Sequence, residues 1–280
     1  MIVDSVLILG GTGLVFASFI ALANRKLKVW EDPRIEAVSA MLPQANCGAC
    51  GLPGCRAFAE KAVAGMVQPA KCTVSEPSRV SEIAAYLGVD VGVGVKQVAR
   101  LLCAGGADVA TQRAAYRGLQ TCASAATVAG GGKGCTWGCL GLADCERACT
   151  FDAIHMSRTG LPVVDPVKCT ACGDCVEACP KDLFVVQPLD HALLVQCRNL
   201  VSGDEVLASC QVACTACGKC VLDAAPGLIS VASGVAVIDY DQVALAEERA
   251  VSRCPTGAIV WLNGPQRFAR TKAPAISESA

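Results

Sequence analysis

Residues 134–182 read GCTWGCLGLADCERACTFDAIHMSRTGLPVVDPVKCTACGDCVEACPKD, and the end of that stretch decides the fold. Cys169, Cys172, Cys175 and Cys179, followed by Pro180, form a C-x2-C-x2-C-x3-C-P run. Three thiolates at steps of three let one tight loop wrap a face of a cubane. The fourth, on the helical turn that follows, points away and ligates a different cluster. That second cluster needs three more ligands, which Cys135, Cys139 and Cys145 supply, with Cys149 crossing back. The spacing therefore predicts one [4Fe–4S] cluster on Cys135, Cys139, Cys145 and Cys179, and another on Cys149, Cys169, Cys172 and Cys175. The first half departs from the usual pattern with C-x3-C-x5-C, so its ligand set is the less constrained of the two.

Other cysteine chemistries fit less well. Zinc sites come as two separated C-x2-C pairs around one tetrahedral ion, whereas this run crowds three ligands at one corner. A disulfide framework suits small secreted chains, and this chain has 280 residues and no cleavable signal pattern. With 20 cysteines and only 4% aromatic residues, clusters must substitute for part of a scarce core, and their thiolates require a reducing compartment. A net charge of −1 gives no long-range pull toward nucleic acid. His155 and His191 lack a Rieske spacing to cysteine and are expected to be structural or exposed. No nucleophile elbow, metal-hydrolase motif or dinucleotide fingerprint is present, so no catalytic side chain is expected.

Toward the N-terminus, residues 6–23 are an unbroken apolar or small-residue run of about the minimum spanning length. Asp4 precedes it, and Arg25, Lys26 and Lys28 follow it, which predicts one membrane pass with the cysteines on the cytoplasmic side. A signal peptide would carry its charge before the run. A buried helix of a soluble protein is the alternative. Gly10, Gly11 and Gly13 lack the strand and Lys-Ser/Thr of a phosphate loop and read as small residues for packing against a neighbouring membrane helix.

Asp32-Pro33 reads as an N-cap with proline at the first helical position, and that helix should end before Pro43. ANCGACGLPGC follows, and Cys47, Cys50, Cys55 and Cys72 form a self-contained set for a further [4Fe–4S] cluster. Helices are predicted over 56–64, stopped by Gly65, and over 77–87, ended by Gly88. Residues 88–95, GVDVGVGV, read as a linker.

The central unit should hold a strand at 96–103, a hairpin of 154–157 and 162–165 around Gly160, and a closing strand at 183–187. A degenerate repeat follows: a strand at 193–197, then Cys210, Cys214, Cys217 and Cys220, strands at 228–232 and 235–238, a helix over 241–252, and Cys254-Pro255. Cys214, Cys217 and Cys220 give three corners of one cluster and Cys254 the fourth, with Cys210 the rival to Cys217. Cys103, Cys122 and Cys197, and with them Cys210, remain over and read as buried, inert thiols. The sequence from about residue 264 reads as a flexible tail.

The order of these parts resembles the B subunit of the Rnf complex, the ion-translocating ferredoxin:NAD+ oxidoreductase family, over nearly the whole chain. The resemblance rests on the membrane helix, CGACGLPGC with a later cysteine, and the two-cluster ferredoxin. GCTWGCLGLADCERAC and the extra C-terminal ferredoxin are similar to the long form of that protein. It implies an electron carrier that draws on soluble ferredoxin and relays to membrane and peripheral partner subunits, without reducing NAD+ itself. Long-form members often carry two cysteine runs in the last ferredoxin. Here the second is reduced to Cys254, which implies a lost cluster whose site residues Val243, Leu245 and Ala246 would cover. CGACGLPGC is also similar to the cluster domain of the corrinoid iron–sulfur protein, so a membrane-tethered iron–sulfur component of another redox or methyl-transfer enzyme is the alternative.

The resulting expectation is an α+β chain with a transmembrane anchor (1–28), a four-cysteine iron–sulfur domain (29–95), a two-cluster ferredoxin domain (96–192), a one-cluster ferredoxin domain (193–263) and a tail (264–280). Four [4Fe–4S] clusters are its expected cofactors.

Overall fold

The computed structural model describes residues 2–27, 31–266 and 268. Helix α1 (Ile2–Leu27) spans about 39 Å at ~1.5 Å per residue, more than the hydrocarbon thickness of a bilayer. Its stretch Leu7–Lys26 has a mean hydropathy of 1.8 and is 0% buried. Leu9, Leu14, Phe16, Phe19 and Leu22 all lie open, so nothing among the described residues makes α1 the core helix of a soluble domain. Gly10, Gly11 and Gly13 also face open space. Arg25 and Lys26 lie in its last turn, and Lys28 is outside the described residues.

The next unit packs α2 (Pro33–Met41), α3 (Cys55–Val63) and α4 (Pro77–Leu87) around Val38, Leu42, Phe58, Ala59, Ala62 and Ile83. Asp32 caps α2 by accepting the Arg34 N–H at 2.9 Å, and Gly88 ends α4 in the left-handed region at φ +67°. The glycine-rich stretch after α4 is docked rather than free. Ala70 donates its N–H to the Val91 carbonyl at 3.0 Å, and a Cβ on Gly94 would stand 2.7 Å from the Ala70 oxygen.

Two ferredoxin-like units then repeat one topology. The first contains β1 (Gln97–Leu101), α5 (Cys122–Thr127), α6 (Asp144–Ala148), β2 (Ile154–Met156), β3 (Pro162–Val164), α7 (Asp174–Glu177) and β4 (Phe184–Pro188). The second contains β5 (Leu193–Val195), α8 (Lys219–Asp223), β6 (Ile229–Ala232), β7 (Val235–Ile238) and β8 (Ile259–Trp261). In each, the first and last strands pair antiparallel and the inner two form a hairpin: β1 with β4, β2 with β3, β5 with β8, β6 with β7. Ser233 and Gly234, at φ +50° and +81°, make the tight turn of the second hairpin. Each unit has its own apolar centre, Val98, Leu101, Ile154, Leu161 and Leu183 in one, and Leu193, Leu228, Ile229 and Ile259 in the other.

Two segments differ from the sequence expectation. Residues 241–252 form no α-helix but two 3-10 turns, Tyr240–Leu245 and Glu248–Val251, separated by the extended Glu247. The first turn buries no residue and Leu245 points to solvent, so helix propensity has no apolar stripe to act through. Leu245 therefore covers no former site, and only Ala246 of that group packs on the core. Second, the start of the expected tail is fixed. Gln266 is buried, accepts the Leu101 N–H at 2.9 Å and donates to the Leu101 carbonyl at 2.7 Å, as a neighbouring strand would. Apart from residue 268, the sequence beyond 266 lies outside the described residues.

Candidate iron–sulfur sites

Cys47, Cys50, Cys55 and Cys72 line one hollow of about 330 Å³. Gly48 and Gly51, at φ +71° and +78°, let the loop turn back between the ligands. Asn46 ties that loop to α3, its Oδ1 accepting the Cys55 N–H at 2.8 Å. A Cβ on Gly54 would stand 2.9 Å from the same oxygen. The Ser75 hydroxyl lies 3.2 Å from the Cys72 sulfur.

Cys149, Cys169, Cys172 and Cys175 line a second hollow of about 310 Å³. Cys169 and Cys172 come from the loop before α7, Cys175 from α7 itself, and Cys149 from the end of α6. Cys179 is not on this wall and packs against the apolar centre that contains Cys145. Around Cys145 the structure also brings the thiols of Cys139 and Cys122. Cys122 opens α5, and α5 is held to α6 by the Asp144 carboxylate, which accepts the Ala123 N–H at 3.0 Å. Backbone N–H groups point at the sulfurs of this unit. Ala99 donates to Cys169 at 3.5 Å, Ala153 to Cys149 at 3.4 Å and Leu183 to Cys179 at 3.5 Å. Such bonds stabilise thiolate and tune cluster potential.

In the last unit Cys214, Cys217, Cys220 and Cys254 line a hollow of about 380 Å³, and Cys210 is not on its wall. Ala216 and Gly218 repeat the positive φ of Ala171 and Gly173 in the central unit, so both runs wind alike. Arg253 grips Asp223 at 2.7 Å and holds the Cys254 arm to the end of α8.

Cys135 is where sequence and structure part. It lines a different hollow, together with Cys103, Cys197 and Cys210. Spacing could not reveal this, because those three thiols come from two units and reach the same place only through docking. The visible signal was the echo of Cys135-x3-Cys139 in Cys210-x3-Cys214.

Burial pushes the thiols of Cys139, Cys145, Cys175 and Cys197 up to about 12, and those of Cys210 and Cys220 up to about 11. Without positive charge from iron these groups stay protonated at neutral pH. Among the described residues, no three His, Cys, Asp or Glu side chains stand close enough to share a single metal ion. Four thiols spread around a hollow, with no three set for one ion, suit a cubane better than a zinc ion. The histidines take no part: His155 is half exposed near Glu146 and Asp152, and His191 stacks on Tyr240 at 5.3 Å. Four thiols stand on the wall of each hollow, and thiols set in fours suit clusters that pass electrons by outer-sphere transfer.

Comparison with known proteins agrees with this geometry. A sequence family described as "Fe-S cluster" matches residues 42–74, and one described as "4Fe-4S binding domain" matches residues 161–184. The B subunit of the Na(+)-translocating ferredoxin:NAD(+) oxidoreductase complex of Acetobacterium woodii is 43% identical over 90% of this chain and 75% of its own length. The B subunit of an ion-translocating oxidoreductase complex of Methanosarcina acetivorans is 35% identical over 92% of this chain and 98% of its own. The B subunit of the proton-translocating ferredoxin:NAD(+) oxidoreductase complex of Clostridium ljungdahlii is 32% identical over 88% of each.

Proposed function

We infer the role of this chain from one premise: it belongs to the B-subunit family of ion-translocating oxidoreductase complexes. It is an iron–sulfur electron-transfer subunit. Its relays are [4Fe–4S] clusters on Cys47, Cys50, Cys55 and Cys72; on Cys149, Cys169, Cys172 and Cys175; on Cys139, Cys145 and Cys179 with one further thiol; and on Cys214, Cys217, Cys220 and Cys254. Soluble ferredoxin supplies the electrons, and partner subunits in the membrane receive them. The chain is anchored once by α1, with the basic end of that helix and all the cysteines on the cytoplasmic side. The units divide near residues 95 and 192, where the apolar centres change. The coupling ion does not carry over, since one relative is named for sodium and another for protons.

The observation that carries this reading is contact between successive sites. Thr73, on the wall of the first hollow, donates its hydroxyl at 2.7 Å to the carbonyl of Thr170, on the wall of the second. Cys145 and Cys175 of the second site are buried in the same apolar centre. Clusters held by these cysteines would supply one-electron transfer between neighbouring sites, and the protein's part is to fix their spacing and surroundings. The test is anaerobic titration of the purified chain with reduced ferredoxin, followed by visible absorption and EPR. Reduction of the clusters is expected. Clusters that dithionite reduces but ferredoxin leaves oxidised would rule ferredoxin out as donor.

A further inference from the structure

We propose that Cys103, Cys135, Cys197 and Cys210 hold a fifth [4Fe–4S] cluster between the two ferredoxin-like units, and that Cys122, whose helix α5 is tied to α6 by the Ala123 N–H on the Asp144 carboxylate at 3.0 Å, replaces Cys135 as the fourth ligand beside Cys139, Cys145 and Cys179. The inference rests on the iron–sulfur reading above and adds a site to it.

Three observations meet at this place. The first is shape. The four thiols line a hollow of about 330 Å³, between the volumes of the second hollow and the C-terminal one, each of which also has four thiols on its wall. Gly105 makes room for it, since a Cβ there would stand 2.9 Å from the Cys210 sulfur and 3.7 Å from that of Cys103.

The second is the setting of the sulfurs. Cys103 accepts the Cys139 N–H at 3.4 Å, and Cys197 accepts two, from Asn199 at 3.5 Å and Cys214 at 3.4 Å. Ala153, Ala99 and Leu183 serve Cys149, Cys169 and Cys179 in the same way. Inert core thiols have no need of donors aimed at sulfur, whereas cluster thiolates do. Lys133 and Arg198 stand on the wall of the hollow and bring positive charge toward an anionic cluster.

The third is position. The ligands are assembled by main-chain docking of the two units. Ala104 donates to the Gln196 carbonyl at 3.0 Å, Gln211 to Val109 at 2.9 Å and Thr111 to Ser209 at 3.0 Å. The Cys139 N–H on Cys103 joins this hollow to the preceding site, and the Cys214 N–H on Cys197 joins it to the C-terminal one. A cluster here completes a continuous relay, and all 20 cysteines become ligands. Each hop moves one electron from a 1+ core to a 2+ core, makes and breaks no bond, and needs no proton.

The test is iron and acid-labile sulfide per full-length chain, isolated without oxygen, with EPR spin counting after complete reduction. The fifth site predicts about twenty irons and five spins, where four clusters would give roughly sixteen and four. Cys197→Ser and, separately, Cys103→Ser should each lose about four irons and one spin, and Cys122→Ala should do the same at the neighbouring site. About sixteen irons and four spins in the unaltered chain would overturn this site and leave the other clusters standing. That count needs no variant and decides the matter even where a substitution prevents folding. A chain that takes up no iron would overturn the iron–sulfur reading as a whole.

Discussion

Phe58 lies in the core of the first unit and also on the wall of its cluster hollow. It is 1% exposed, packed among Val38, Leu42, Ala59, Ala62 and Ile83. Phe58→Ala removes the ring from an interior with few other large side chains. Loss of the buried aromatic surface costs about 2–3 kcal/mol. A residual void of about 50 Å³ adds roughly 1 kcal/mol at ~24 cal/mol per Å³, for a total near 3–4 kcal/mol. If iron leaves the first site through local opening, that penalty speeds its release about 100- to 1000-fold. The assay is a chelator chase of the fully loaded chain, with iron-bound chelator read against time. About four irons should move to a fast phase while the rest keep their rate. Release within about threefold of the unaltered chain, or equal acceleration of every iron, would show that Phe58 does not seal this site.

Asn46→Ala strips the Cys55 N–H of its acceptor and should destabilise the first unit by about 0.5–2 kcal/mol, with Asn46→Asp recovering most of it in thermal unfolding; equal losses in both variants would sink the capping role. Protease added to sealed right-side-out cells should spare the cysteine units, and cleavage from outside would overturn the topology assigned from Arg25 and Lys26. Cluster loading removes a proton from every ligand thiol, and burial has pushed several of those thiols up, so affinity should rise with pH. For thiols near 12 it should keep rising by up to about one decade per ligand per pH unit beyond pH 9. A plateau at about 8.5, where an ordinary thiol titrates, would contradict the role given to burial.

The sequence made local chemistry legible and left docking obscure. Asp32-Pro33, Gly88 and Gly160 punctuate the chain as their backbone preferences dictate, and the structure realises them. Runs such as Cys169–Cys172–Cys175 wind around one hollow because three residues per step fixes their direction. The location of Cys135 could not be read, since its neighbours Cys197 and Cys210 arrive from another unit over 60 positions away in the chain. The expected helix over 241–252 failed for a related reason: residues such as Leu245 have the propensity but face no partner surface. The two-fold repetition of strand pairing was only half visible, as a degenerate cysteine pattern, because hydrogen-bond partners leave no mark in spacing.

The glycine-rich segment after α4 turns a hinge into a spacer. GVDVGVGV has the composition of a swinging tether, which would let a cluster module shuttle between donor and acceptor. Its course against Ala70, with no room for a Cβ at Gly94, removes that freedom. Electron flow through the chain then depends on fixed gaps and on potentials, with no term for the diffusion of a mobile head. An inserted residue in this segment is therefore a change of gap length, where in a loose tether it would alter only reach.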